Sequence, residues 1–220
     1  MIQVRDPRFS PKMRLRPLVT LSSAAIALAL SSPASADDAQ SFIEHEHAKL
    51  DRLLREPASP TRDTQINDAL DGFVDYGELT RRAFGEPCPP SVPSCDDLWA
   101  KYADPQKEEL RNLLSQLVRK SYRKNLARTL DYEVAFHGAR DAAGDTRVLT
   151  EAKSKTKPRD PAVRVDYVVK QTSAGYRVVD IITEGSSLTK NYYDQFRKKM
   201  NDPNEGYPNI VEKLRDKIAR

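Results

Sequence analysis

The sequence is poor in the residues that build most metal and catalytic centres, with three histidines and two cysteines in 220 residues. His45 and His47 stand two apart in the run Glu44-His-Glu-His. On a helix that spacing turns them to different faces, so the run reads as an exposed polar helix face and no metal site is expected. A glycine-rich phosphate loop, a zinc-protease helix motif and a nucleophile elbow are all missing. Nothing repeats at a spacing that would build a solenoid. A long hydrophobic run is missing too. Leu18 to Leu30 is shorter than the roughly 20 residues needed to span a bilayer.

That short run has another use. Arg14 and Arg16 precede it and Ala34-Ser35-Ala36 follows it, the three parts of a secretory signal peptide. Residues 1–36 are therefore expected to be cleaved, leaving one domain over 37–220 with Asp37 at its head. Met13 begins a leader of more usual length than Met1 does, so residues 1–12 read as an over-called start or as a long n-region. The formal charge of +4 lies wholly in the leader, where Arg5, Arg8, Lys12, Arg14 and Arg16 face Asp6 alone. The remaining chain is balanced, whereas a nucleic-acid-binding domain carries a basic excess. Nucleic acid is excluded as a partner on that ground.

Cys88 and Cys95 frame the segment CPPSVPSC. In the oxidising compartment a leader implies, this pair reads as a disulfide closing a local loop. Redox pairs favour a two-residue spacing and a zinc site needs further ligands nearby. Neither fits.

The first half of the chain is helical in pattern. Phe42, Leu50, Leu53 and Leu54 form an imperfect apolar stripe over Ser41–Arg55, ended by Pro57 and Pro60. Ile66, Leu70, Phe73 and Val74 form a second. Asp75-Tyr-Gly-Glu78 has the form of a capping box and Gly85 of a helix stop. Asp104-Pro105 reads as an N-cap acid followed by proline at the first helical position, opening a long helix that ends near Leu130. The period then changes from helical to alternating. Tyr132, Val134 and Phe136 alternate, and so do Val163, Val165, Tyr167 and Val169 against Arg164, Asp166 and Lys170. Arg147–Ser154 and Tyr176–Glu184 complete four strands, with turn-rich joints at 138–144 and 171–175. The fold class is α+β, with helices packed over a four-stranded antiparallel sheet and enclosing an apolar cleft.

Asp180, in an apolar strand, and Tyr167, on its neighbour, could serve a small α+β enzyme as acid and hydroxyl, as in ketosteroid isomerase. The plainer reading has Asp180 satisfying backbone amides at the Gly185 corner. It is preferred because no second acid or histidine joins the pair.

The segment from the last strand into the following helix resembles the signature of the MlaC family, periplasmic phospholipid-binding proteins also called the toluene-tolerance auxiliary family. Tyr176, Arg177, Val178, Asp180, Ile181, Glu184, Gly185, Ser187, Leu188, Asn191, Tyr192, Gln195 and Phe196 carry the likeness. Phe73, Asp75 and Gly85 resemble the family's second helix, and Trp99, Leu110 and Tyr122 its tryptophan and long helix. Two departures stand out. Tyr193 occupies a position where the family usually keeps arginine, and residues 86–98, with both cysteines, form an insertion.

The resemblance implies a monomeric carrier in the periplasm, not an enzyme, with phospholipid as cargo and neither cofactor nor metal. It further implies exchange with an outer-membrane lipoprotein–porin complex and an inner-membrane ABC transporter bearing an MCE-domain ring. On such a fold the apolar faces assign Phe73, Tyr76, Leu113, Leu117, Tyr122, Val134, Phe136, Val165, Tyr167, Val178, Leu188, Tyr192 and Phe196 as lipid-lining residues. Cys88, Cys95, Asp180 and Gly185 are assigned structural roles.

Overall fold

The computed structural model describes residues 36–220 apart from 90, 91, 93, 203 and 204, with the side chains of 125–127 also set aside. The leader, save for Ala36, lies outside the described residues. Three helices come first: α1 (Ala36–Arg55), α2 (Pro60–Phe73) and α3 (Tyr76–Ala83). A 3-10 turn at Trp99–Lys101 leads into the long α4 (Asp104–Thr129). The sheet follows as β1 (Tyr132–Ala142), β2 (Asp145–Ser154), β3 (Val163–Thr172), β4 (Gly175–Thr183) and β5 (Ser186–Ser187). Two helices close the chain, α5 (Leu188–Met200) and α6 (Tyr207–Ala219). No helix among the described residues is long and apolar enough to cross a membrane.

All strands pair antiparallel in the order β1-β2-β3-β4-β5. The fold is thus the expected α+β meander, with a fifth strand where four were expected. β5 is only two residues long and pairs with Ile182 and Thr183, too short to leave an alternating pattern. The joint expected at 138–144 shrinks to a turn at Ala143-Gly144. β1 runs through Gly138, whose φ of +96° accompanies the register shift between Phe136 and Ala139. Such a bulge bends the strand and deepens its twist.

Local chemistry explains the helix starts. Ser59 accepts from the Arg62 amide, with Pro60 in the first turn of α2. Asp75 accepts from the Glu78 amide at 2.9 Å, which is half of the expected capping box. The other half is absent because Glu78 turns inward. Its carboxylate meets buried Arg82 at 3.0 Å and Lys170 of β3 at 2.9 Å, while Arg82 reaches Asp145 at 2.7 Å. This network ties α3 to the sheet, and removing one member would leave a buried charge unpaired. At α4 the cap is Ala103 and Asp104 is already helical, a one-residue shift from the sequence expectation.

The main core gathers Phe73, Phe84, Leu98, Trp99, Leu110, Leu114, Val178, Tyr193, Phe196 and Ile210, and a smaller cluster of Leu50, Leu53, Ile66 and Leu70 joins α1 to α2. Helix α6, unread in the sequence, contributes Ile210, Val211 and Leu214 to the core. Cys88 and Cys95 are disulfide-bonded. The insertion they brace docks onto α5: the buried Tyr193 hydroxyl accepts from the Asp96 amide at 2.9 Å, and Leu98 donates to the Phe84 carbonyl at 2.8 Å. Tyr193 thus anchors the segment that follows Cys95 to α5.

Candidate functional site

The turn from β4 into α5 is held by one carboxylate. Asp180 accepts from the Ser187 hydroxyl at 2.6 Å, the Thr189 amide at 3.0 Å and the Ile181 amide at 2.8 Å. Ser187 in turn caps α5 by accepting from Lys190 N at 3.0 Å. Gly185 has φ +79°, a conformation that glycine adopts without strain. Asp180 is thus spent on the corner. The Tyr167 hydroxyl meets His47 instead, and register sets Tyr167 across from Ile181 and Asp180 across from Val168. No hydrogen bond joins the two residues of the enzyme reading.

The corner splits the first turns of α5 between two environments. Leu188, Asn191 and Tyr192, at i, i+3 and i+4, line a cavity of about 910 Å³. Thr189, Tyr193 and Phe196, at i, i+4 and i+7, are buried on the other side. Facing α5 across the cavity are α1 (His47, Ala48, Leu50, Asp51, Arg55) and α4 (Val118, Ser121, Tyr122, Thr129). Phe73 and strands β1, β3 and β4 form the floor, with Val134, Phe136, Val165, Tyr167 and Ile181. The volume lies near the top of the 300–1,000 Å³ usual for small-molecule sites.

Polar groups collect at one end. Asp51 receives both Nε and Nη2 of Arg55, at 2.9 and 3.0 Å. That hydrogen bonding, with the nearby charges of Arg55 and Lys155, holds its carboxyl below the usual range. Deeper in, His47 Nε2 lies 2.9 Å from the Tyr167 hydroxyl, its ring edge-on to Phe73, Phe136 and Tyr167. Desolvation lowers the His47 pKa to about 4 and raises those of Tyr167 and Tyr122. All three are neutral at pH 7, so these polar groups of the interior carry no net charge.

Of the residues assigned to lipid from sequence, Phe73, Tyr122, Val134, Phe136, Val165, Tyr167, Leu188 and Tyr192 line this cavity. Tyr76, Leu113, Leu117, Val178 and Phe196 do not. Tyr76 is buried with its ring beneath the Arg119 guanidinium, 4.8 Å from the centroid. Leu117 and Val178 are core, and Leu113 packs against the core. Phe196 lies one further turn along α5. Each four-residue step rotates about 40° past a full turn, which carries position 196 from the cavity side to the core.

His47 corrects the sequence reading of an exposed polar face. It is half-buried in the cavity wall, while His45 is exposed. The signal was the spacing Ile43, His47, Leu50, an i, i+4, i+7 stripe with a histidine at its centre. Asp51, Arg55, Tyr132 and Lys155 were also missed, and their charge or position gave no cue. Among the described residues no group of three or more His, Cys, Asp or Glu could hold a metal ion.

The MlaC protein family model matches residues 46–216, most of the chain. The chain belongs to the MlaC family. A solved phospholipid-binding protein from Ralstonia solanacearum, in complex with a phospholipid, superposes with a TM-score of 0.65 at 19% identity. The match covers 83% of this chain and 97% of that one, so the two share a fold. No curated protein matches the sequence. The segment that resembles the family in sequence is the β4–α5 corner, where Asp180, Gly185 and Ser187 build the turn and Leu188 and Tyr192 reach the cavity.

Proposed function

We propose that this protein binds phospholipid and carries it between membranes as the soluble component of an Mla-type ABC-transporter system, maintaining outer-membrane lipid asymmetry. The observation that carries the reading is the cavity of about 910 Å³, apolar in depth and polar at one end. Membership of the MlaC family and the phospholipid held by the Ralstonia protein of the same fold support it. The chain would act as a monomer in the periplasm after loss of residues 1–36. It would exchange cargo with an outer-membrane lipoprotein–porin complex and an inner-membrane transporter with an MCE-domain ring.

Physical chemistry sets what such a carrier must do. Each acyl methylene taken from water is worth about 0.8 kcal/mol, so two chains crossing water unaided face a barrier on the order of 25 kcal/mol. The cavity has to approximate the bilayer interior without exceeding it, or cargo would never leave. Neutral His47 and Tyr167, already paired with each other, fit that need better than charged groups would. No chemical step is assigned to them, because each already spends its polar atom on the other.

The test is native mass spectrometry of protein purified from the periplasm, followed by solvent extraction. About one phospholipid per chain is expected. Protein that is reproducibly empty, or that carries a water-soluble metabolite, would refute the carrier and return weight to an enzyme reading.

A further inference from the structure

Among the described residues one large hydrophobic side chain is exposed, Tyr132 at 36%. It opens β1 at the polar end of the cavity, beside Thr129, Glu133, Arg55 and Lys155. Across the strand pair Tyr132 faces Ser154 and Glu133 faces Lys153. The chain then leaves β2 through Lys155, Lys157 and Arg159, all exposed like Lys153. This segment is held in place rather than trailing. Lys155 N donates to the Asp131 carbonyl at 2.7 Å, and its ammonium donates to the Leu130 carbonyl at 3.1 Å. Lys157 N donates to the Ser154 hydroxyl at 3.0 Å, and Asp160 N to the Lys157 carbonyl at 3.0 Å.

The local charge is basic although the mature chain as a whole is balanced. With Arg128 of the last turn of α4, five cations outnumber the exposed Asp131, Glu133 and Asp160. Asp51 is neutralised by Arg55, and Glu151 stands across the strand pair from the exposed Arg164.

We propose that this rim, Tyr132 with Lys153, Lys155, Lys157 and Arg159, docks on the surface of an anionic phospholipid bilayer and turns the cavity mouth toward the headgroups. A tyrosine has an apolar body and a polar tip, which suits the boundary between headgroup and acyl chain. Basic residues near an anionic surface each gain about fivefold in affinity, within a Debye length. An acidic protein would also attract the cations and accept a tyrosine. A bilayer is the occupant favoured here because the patch borders the cavity and a bilayer is where acyl cargo resides. The inference rests on the carrier reading for its purpose, not for its measurement.

The chain from Asp37 is sedimented with vesicles of equal parts phosphatidylglycerol and phosphatidylcholine, and with phosphatidylcholine alone. Binding to the anionic vesicles that is released by added salt is the expected result. The variant Lys153→Glu/Lys157→Glu/Arg159→Glu should lose affinity by at least about a hundredfold. None of these three residues lines the cavity, so its co-purified phospholipid and circular dichroism should match wild type. Wild-type protein that carries phospholipid but ignores both vesicles overturns the rim and leaves the carrier intact. Binding that appears only when a membrane protein is embedded in the vesicles overturns it in favour of a protein partner. Equal binding to both vesicle types, unchanged in the variant, overturns the charge argument. Salt-sensitive binding by protein that never carries lipid upholds the rim and removes the carrier reading.

Discussion

The ring of Phe196 lies flat against that of Phe84, with centroids 4.3 Å apart and planes 12° apart. Both side chains are nearly inaccessible, and Trp99 and Tyr102 close around Phe84. A carboxylate at position 196 would therefore enter packed core, at a cost of several kcal/mol. Phe196→Asp is expected to unfold the protein or lower its melting temperature sharply. Val134→Asp, on the cavity floor, should leave far-ultraviolet dichroism near wild type and reduce co-purified phospholipid. A Val134→Asp protein with a full lipid load would mean that cargo is held elsewhere.

His47 makes stability depend on pH. Its pKa is near 4 in the folded protein against 6.5 for an unhindered histidine. The unfolded chain therefore takes up its proton first as pH falls, and stability declines from about pH 6.5 down to about pH 4. The loss amounts to at most about 3.4 kcal/mol. Urea denaturation at pH 7, 5.5 and 4.5 should show the decline in wild type and a shallower one in His47→Gln. A filled cavity keeps water from the imidazole, so lipid-loaded protein should show the steeper dependence. Identical slopes in wild type and His47→Gln would sink the assignment.

Two glycines with positive φ should respond differently to alanine. At Gly85, φ is +93° and a Cβ would lie 2.4 Å from the Asp96 carbonyl oxygen and 3.1 Å from the Tyr193 ring. At Gly185, φ is +79° and a Cβ meets nothing within 4 Å. Gly185→Ala should cost about 1–2 kcal/mol, the strain of the left-handed conformation alone. Gly85→Ala adds a clash with backbone, for a total of roughly 3 kcal/mol or more. Thermal melts of the two variants side by side decide this, and equal shifts would contradict the close approach at Gly85.

The Cys88–Cys95 bridge closes a short loop, so its contribution is expected to be about 2–3 kcal/mol. Cys88→Ala/Cys95→Ala should lower stability by that amount. Because neither cysteine lines the cavity, lipid load should persist at temperatures where the variant stays folded. Loss of cargo from folded variant protein would tie the insertion to the site.

The features legible in the sequence are those decided within a few residues. Val163, Val165 and Tyr167 alternate with Arg164 and Asp166 at the period of a strand, and that period is legible although Asp166 and Val168 of the other face are buried too. Pro105 in the first turn and the leucine stripe of α4 announce that helix without knowledge of its neighbours. Asp180 accepts from two amides and a hydroxyl at the corner, as a carboxylate in an apolar strand must find donors close by in the chain.

Other features needed partners distant in the chain. Periodicity tells that a side chain leaves the solvent, not whether it meets another helix or an empty space. Tyr192 and Phe196 share one apolar stripe, yet Phe84 waits beside the second and a cavity beside the first. His47 looked like surface because imidazole is polar. It is wall because Tyr167, 120 residues later, supplies the hydrogen bond that makes its burial tolerable. Sequence alone determined the four longer strands and helices α1 to α5, since those follow from local geometry and hydrogen bonding. Only the tertiary structure decided which apolar faces close on each other and which stand apart, because packing depends on the shape of what lies opposite.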